Sequence, residues 1–312
     1  MEDFIFHQGS IPTGYKLSFA ESLFNKPTHR QLQAQNNWHS FFILNQTNKT
    51  VVGAIHFHLQ NGIAQSPFKA THGGFDLYDE VQQEIVLGFV IFVEGQLQKL
   101  GATKIFIKLP LRISDGKKFN LVESILIKCA FQIAREEVGS IIKVSPCFIE
   151  ELHRSEKKRL RKSINENFKF EKISINRLES VYSFILRCRM NKQYKLSMSL
   201  QGIQDLALQF PDNVLLFVVM DNDRLAAASI CILVNEKILY DFYHDHDTRY
   251  DAFSPIVFLV EGINDYCYEY KIPLIDLGTS MIGNKVNTTL FNFKLKLGGK
   301  TGVKYSFEKI CV

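Results

Sequence analysis

Two stretches of six residues repeat one pattern in the two halves of the chain: Val90-Ile91-Phe92-Val93-Glu94-Gly95 and Val257-Phe258-Leu259-Val260-Glu261-Gly262. Each lies inside a predicted helix, from about 79 to 100 in the first half and from about 254 to 270 in the second. One short match has little weight by itself. It indicates a duplicated chain only if the elements around it recur in the same order.

The elements around both helices do recur in one order: a strand, a polar turn, a longer strand, a second turn, a third strand, the helix and a final strand. In the first half the predicted strands are 40–44, 51–59, 63–65 and 104–109. In the second half they are 214–220, 225–234, 238–243 and 272–277. Antiparallel strands followed by a helix and a returning strand predict a mixed α/β layer in each half.

The composition fits a folded protein of this size. Of 312 residues, 46% are hydrophobic and 22% charged, which excludes disordered, collagen-like and coiled-coil classes. The length predicts two domains, which we place at 1–146 and 147–312. A net charge of +5 could attract an anionic ligand but does not establish nucleic-acid binding. The acidic start, Met1-Glu2-Asp3, and the lack of a long apolar run predict a cytoplasmic protein without a membrane span.

Three further stretches carry a resemblance to a known group. They are the segment from Glu150 to Ile164, which contains Lys158-Arg159-Leu160-Arg161-Lys162; Ser254-Pro255 with Ile275-Asp276-Leu277-Gly278; and Leu290-Phe291-Asn292-Phe293-Lys294-Leu295-Lys296-Leu297-Gly298-Gly299. With the element order, they make the chain resemble tandem GNAT-fold N-acyltransferases, more narrowly the group that includes the Fem peptidoglycan aminoacyltransferases. The resemblance covers nearly the whole chain.

The resemblance implies an α/β protein of two tandem GNAT-like domains, each a mixed, mostly antiparallel sheet flanked by helices. It implies an N-acyltransferase that moves an acyl group from acetyl-CoA or another acyl-CoA to a small-molecule or peptide amine bound between the domains. Two alternatives stay open: a Fem-like transferase that uses aminoacyl-tRNA and acts on a cell-wall precursor, and a catalytically silent binding module.

The donor site implied by the resemblance lies at the start of the second central helix. There the family's Gln/Arg-x-x-Gly-x-Gly/Ala loop aligns with Arg249-Tyr250-Asp251-Ala252-Phe253-Ser254. Helix N-termini favour pyrophosphate because their amide groups are unpaired, and small residues let the backbone approach it. We therefore predict coenzyme contacts from Arg249, Ala252 and Ser254, with Lys294 at the family's lysine position. The bulky Phe253 departs from the family pattern.

Proton-transfer candidates cluster where the two flanking strands end. Acyl transfer from a thioester to an amine needs a proton acceptor near the amine, and histidine has a suitable pKa. Tyr243 and His244 end one predicted strand, and Asp276 ends the other. We predict these three as catalytic residues, within the ionisable stretch from Asp241 to Asp247; an ordinary polar loop would have the same composition.

Metal binding is not predicted. His56-x-His58 places two imidazoles on one side of a strand, and His244-x-His246 has flanking carboxylates, but neither pair has a third and fourth ligand at characteristic spacing.

The basic segment from Arg154 to Lys162 predicts an amphipathic helix with cationic sides. Such a helix would contact phosphates in a tRNA-dependent enzyme, and a solvated helix surface would look the same.

Overall fold

The computed structural model describes residues 3–112 and 116–311. Internal contacts divide these residues into two compact units, 1–137 with 303–312, and 138–302. The last ten residues therefore group with the first unit. The domain ranges inferred from the sequence, 1–146 and 147–312, stay a prediction.

Among the described residues of the first unit, seven strands follow one another in the main strand order, and there are three α-helices. The elements are β1 (Phe4–Gln8), β2 (Lys16–Leu17), α1 (Pro27–Gln33), β3 (Trp38–Asn45), β4 (Thr50–Gln60), β5 (Ile63–Ser66), β6 (Asp76–Leu77), α2 (Gln83–Lys99), β7 (Lys104–Lys108), α3 (Gly116–Lys128) and the start of β8 (Gln132–Lys143). The main order is β1, β3, β4, β5, β7, the C-terminal strand, β8, and β2 and β6 pair with β4.

The core of the first unit lies between this sheet and α2 with α3. Residues Ile85, Phe89, Val93 and Leu97 repeat at four-residue spacing on α2 and are buried, so one side of the helix packs inward. Strand residues alternate: Ile105 and Ile107 of β7 enter the same core, while the residues between them face the other side of the sheet.

The second unit repeats this plan. After β8 come α4 (Phe148–Glu151), α5 (Arg154–Asn165), β9 (Lys169–Ile173), α6 (Leu178–Asn191), α7 (Leu200–Gln209), β10 (Val214–Asp221), β11 (Arg224–Asn235), β12 (Ile238–His246), α8 (Pro255–Glu269), β13 (Leu274–Thr279), β14 (Met281–Ile282), β15 (Lys285–Val286), α9 (Thr288–Lys296) and β16 (Lys300–Ile310). Its sheet order is β8, β13, β12, β11, β10, β9.

The two units share one connectivity, which confirms the predicted tandem α/β architecture. In each, a short parallel pair flanks the central helix: β5 with β7 around α2, and β12 with β13 around α8. The final strands are exchanged. β8 follows the helices of the first half yet pairs with β13, whereas Ser306–Ile310 of β16 pairs with β7.

No helix within the described residues combines the length and apolar composition that a membrane span requires.

Candidate functional site

The site is built around the point in the second unit where β12 and β13 part. The two strands pair in parallel over three positions, and the pairing ends at Tyr240 and Asp276. Beyond it, Gly278 adopts a φ of 72°, a left-handed conformation that glycine tolerates without a steric penalty. The strand ends therefore diverge beside the N-terminal side of α8, as the element order predicts.

A β-bulge in β12 brings two ionisable side chains together. Ile230 of β11 faces Tyr243 and the next residue, Cys231, faces Asp241, so Phe242 is the extra residue. A bulge breaks the alternation of side chains along a strand. As a result Asp241 and His244, three positions apart, meet: His244 Nδ1 lies 2.6 Å from Asp241 Oδ2.

The contacts of Asp241 fix the histidine tautomer. Its other oxygen, Oδ1, accepts a hydrogen bond of 2.7 Å from the Ser229 hydroxyl. Burial alone would raise the pKa of Asp241, but His244 and Ser229 outweigh burial and hold it below its usual value. A carboxylate only accepts hydrogen bonds, so His244 Nδ1 carries a proton, and in the neutral ring Nε2 then carries the lone pair. This pairing orients His244 as a proton acceptor.

Lys294 approaches the same centre from α9. Its side chain is buried, and Nζ donates hydrogen bonds of 3.1 Å to the carbonyl oxygens of Gly278 and Thr279 on the diverging strand. Burial lowers the pKa of Lys294 to about 8, although Asp276 and Asp241 favour its charged form. An ammonium has three N–H groups, so one remains for a ligand beyond these two carbonyls.

The structure places the other two predicted catalytic residues in supporting contacts. Asp276 is buried, and its Oδ1 accepts a 2.7 Å hydrogen bond from the Gly278 amide at the strand divergence. The Tyr243 hydroxyl lies 2.7 Å from Ser197 Oγ and accepts a 2.8 Å hydrogen bond from the Met198 amide. The Tyr243 ring thus anchors the segment between α6 and α7. Their catalytic roles stay a prediction.

In the predicted coenzyme loop, the Arg249 guanidinium and most backbone amides already donate hydrogen bonds to acceptors of the loop itself. Arg249 is exposed and forms a two-pronged ion pair with Asp247, with distances of 2.6 to 3.1 Å. Five loop amides donate hydrogen bonds within the loop, namely those of residues 249, 250, 251, 253 and 254. Ser254 has a φ of 51°, and the next residue, Pro255, has no N–H. Ala252 is exposed on this loop. Coenzyme binding by these residues stays a prediction.

Helix α5 packs over the beginning of α8. Ser163 Oγ donates a 2.6 Å hydrogen bond to the Phe253 carbonyl, and Phe168, just after α5, contacts both Phe253 and Tyr250 edge-on. Leu160 of α5 is fully buried in the same core. The basic segment is therefore a helix, as predicted, and it packs against the loop that precedes α8.

The outer side of α5 is cationic. Arg159 pairs with the buried Glu156 at 3.1 Å, and Lys157 donates to the Glu150 carbonyl. The remaining basic residues are exposed: Arg154, Lys158, Arg161 and Lys162. This side of the helix offers positive charge to a polyanion.

The side chains of the two histidine pairs contact rings and carboxylates. His56 and His58 lie buried among rings, His56 near Phe42 and His58 between Trp38 and Phe68. His246 binds the Asp251 carboxylate at 2.7 Å. Within residues 3–112 and 116–311, no three metal-binding side chains come together.

Sequence reasoning missed the partnership of Asp241 with His244 and Ser229. Asp241 and His244 both belong to the ionisable stretch from Asp241 to Asp247, but regular strand alternation would place residues three apart on opposite sides of the sheet. The bulge at Phe242 has no clear local sequence signal.

These observations define a tandem GNAT-like fold with a cluster of Asp241, His244 and Lys294 at the strand divergence of the second unit. The solved structures with a similar fold include FemX, with a TM-score of 0.72 and 11% identity over 94% of this chain and 93% of that one.

Two more solved structures match over most of the chain. L-PGS from Bacillus licheniformis has a TM-score of 0.52 and 9% identity, covering 82% of this chain and 80% of that one. A conserved protein of unknown function from Bacteroides thetaiotaomicron has a TM-score of 0.54 and 11% identity, covering 90% and 88%. At such identities the likeness concerns the fold. No family model and no curated protein matches the sequence.

Proposed function

We propose that this protein is an acyltransferase that moves an aminoacyl group from aminoacyl-tRNA to an amine. The carrying observation is the 2.6 Å pair of Asp241 and His244, which leaves His244 Nε2 as an oriented proton acceptor. The buried Lys294 belongs to the same cluster, because its charge acts on Asp241. Acyl transfer to nitrogen requires a base of this kind and a donor for the developing oxyanion.

Each residue of the cluster has a defined task in this reaction. The acceptor amine attacks the ester carbonyl while His244 Nε2 takes its proton, and Asp241 stabilises the resulting imidazolium. The third N–H of Lys294 stabilises the negative charge on the carbonyl oxygen. The carbon–oxygen bond to the tRNA then breaks, and His244 returns the proton to the leaving oxygen. One amide forms and one ester is cleaved.

The contacts around α8 support tRNA as the donor. A diphosphate cradle needs unpaired amides at the helix start. Here five loop amides are already bonded, position 255 is a proline, and Asp247 neutralises Arg249. In place of a cradle, α5 offers the exposed cations Lys158, Arg161 and Lys162. A nucleic-acid backbone binds to such a surface through many weak charge contacts.

Acyl-CoA is the second candidate donor, because the resemblance to GNAT enzymes includes the small residues Ala252 and Ser254 in the loop. It requires Asp247 to release Arg249 on binding. The two candidate donors differ in their need for α5: binding of tRNA requires the exposed positive charges of this helix, and binding of acyl-CoA does not.

Direct binding and transfer distinguish the donors. Bulk tRNA charged with labelled amino acids is incubated with the protein and a pool of lysine-containing peptides, and base-stable label is counted, since an amide survives mild base and an ester does not. We expect transfer that falls steeply with salt. Replacing Lys158, Arg161 and Lys162 together by Gln should weaken tRNA binding at least tenfold. The control replaces the exposed Lys16, Lys99 and Lys128, with the same change in charge.

The outcomes separate the hypotheses. Thermal stabilisation by acetyl-CoA, without tRNA binding, would select the second candidate. If neither donor binds to the folded protein, the chain is a silent binding module and the proposal is wrong. If transfer occurs and the His244→Gln variant retains it, the catalytic centre is misassigned. The matched control is His246→Gln, because His246 is also a histidine of β12 whose ring pairs with a carboxylate, that of Asp251.

A further inference from the structure

The first unit contains a cavity that the proposed reaction does not use. It has a volume of about 330 Å³ and lies on the side of the sheet away from α2 and α3. Strand alternation explains its lining, because the residues of β7 that alternate with the core-facing Ile105 and Ile107 line it. The residues that line it include Gln65, Phe68, Lys104, Phe106, Lys108 and Glu137.

The floor of this cavity carries charges of both signs. Lys104 of β7 pairs with Glu308 of β16 at 2.6 Å, with each side chain one third exposed. At the other end of β7, Lys108 Nζ lies 3.8 Å from Glu137 Oε2. Lys104 and Lys108 are four residues apart, roughly 13 Å along a strand. The cavity is thus an elongated groove with a cation near each end.

Glu137 is incompletely satisfied. Its side chain is 8% exposed, and Arg135 Nη2 lies 3.4 Å from Oε1. Its other oxygen, Oε2, is buried and accepts no hydrogen bond. Buried carboxylate oxygens nearly always have a donor, because an unmet one costs free energy. Glu137 lines the cavity, so a ligand bound there could supply the donor that this buried oxygen lacks.

The lining selects among ligand classes. A purely anionic ligand would be repelled by Glu137 and Glu308, and an apolar one would leave Glu137 Oε2 unsatisfied. A ligand with an ammonium and a carboxylate satisfies both Glu137 and the neighbouring cations. Phe68, Phe106 and Pro67 add an apolar wall for a side chain. The volume is at the small end of ligand sites, which hold roughly 300 to 1,000 Å³.

We propose that this groove binds a zwitterionic ligand of dipeptide size, with its ammonium donating to Glu137 Oε2 and its carboxylate bound by Lys108 and Arg135. The inference concerns binding in the first unit and does not depend on the transferase activity proposed for the second. A protein that transfers nothing could still bind the dipeptide, and an active transferase could lack this site.

Calorimetric titration tests the proposal with three dipeptides, Ala-Leu, Ala-Lys and Ala-Glu, each used in three forms: free, N-acetylated and as the C-terminal amide. We expect at least one free dipeptide to bind and both capped forms of it to bind about tenfold or more weakly, since each loses a charged hydrogen bond. Equal affinity for free and capped forms would overturn the proposal. So would the absence of any binding to the folded protein at about 10 mM dipeptide.

A variant locates the ligand. Glu137→Gln keeps the shape of the side chain, and we expect it to lose the preference for the free amine over the N-acetylated form. Unfolding would lower the affinities for the free and the N-acetylated dipeptide together. Loss of the contact between Glu137 and the ammonium lowers only the affinity for the free dipeptide. Lys16→Gln, on an exposed lysine outside the groove, should leave the preference unchanged. If Glu137→Gln retains the preference, the dipeptide binds elsewhere and the assignment is wrong.

Discussion

His244 Nδ1 lies 2.6 Å from Asp241 Oδ2, although the two residues are three apart on one strand. The bulge at Phe242 makes this contact possible. Bulges recur near active sites because they re-aim a side chain without breaking the sheet. The carboxylate then holds the ring in a single tautomer.

Asp241→Asn tests the importance of that tautomer. The amide has nearly the same shape but no charge, so we expect kcat to fall roughly 100- to 10,000-fold with a small change in KM. The matched control is Asp251→Asn, which removes the charge paired with His246 at 2.7 Å on an exposed loop. Unchanged kcat for a folded Asp241→Asn protein would show that orientation of His244 does not limit transfer.

Lys294 should give the pH profile a descending limb. Its pKa is about 8, so raising the pH through 8 removes the ammonium that stabilises the oxyanion, and kcat/KM should fall. Lys294→Arg stays charged, so any activity it retains should persist to higher pH. Lys294→Met should be slow with no limb near pH 8. A wild-type profile flat between pH 7 and 9.5 would contradict this role.

The two repeated glycines predict opposite stability changes. Gly95 of α2 and Gly262 of α8 occupy matching positions in the repeated stretch. A Cβ at Gly95 meets open space, so Gly95→Ala should raise the unfolding free energy by about 0.5–1 kcal/mol through helix propensity. A Cβ at Gly262 would overlap with the Phe170 ring, so Gly262→Ala should cost roughly 1–3 kcal/mol. Urea unfolding measures both, and changes of equal sign would contradict the packing.

The strand exchange predicts that the C-terminal strand stabilises the first unit. Phe307 of β16 is fully buried in the core with α2 and α3. We expect Phe307→Ala to cost about 3–5 kcal/mol and to speed amide exchange in β7, its pairing partner. Ile310→Ala is the control, because Ile310 is 62% exposed on the same strand. Faster exchange in β10 alone would contradict the assignment of β16.

His29 makes stability depend on pH. Burial lowers its pKa to about 4, against 6.5 for an exposed histidine, so between these values the unfolded chain binds the proton more tightly. Its stabilising contribution is complete above pH 6.5 and is lost as the pH falls toward 4.

The comparison with His29→Asn isolates this effect. Between pH 7.5 and 5, the wild type should lose about 2 kcal/mol more unfolding free energy than the variant. Burial raises the pKa of Asp76 to about 7, so Asp76 makes the unfolding free energy fall as the pH rises. This contribution is the same in the wild type and the variant, and it cancels in the comparison. Parallel pH curves for the two proteins would contradict the burial of a neutral His29.

The sequence predicted the architecture because the signals for it are local. Periodic apolar positions fix α2 and α8, and alternating strands with polar turns fix the hairpins around them. Ser254-Pro255 marks the start of α8 and the structure begins that helix at Pro255. The order of elements, read twice, was enough to predict two sheets of one connectivity.

The tertiary structure alone decided which side chains meet. The exchange of β8 and β16 depends on pairing between residues that are 131 to 140 positions apart for β8 with β13 and 198 to 206 positions apart for β16 with β7, and no local preference encodes that choice. The contact between Asp241 and His244 arises from one unpaired residue in the pairing of β11 with β12. The contacts of α5 with the loop before α8 arise from packing. The buried Glu137 Oε2 has no hydrogen-bond donor because of the strands around it. Each depends on pairing or packing between segments that are distant in the chain, and a sequence pattern specifies only what neighbours along the chain prefer.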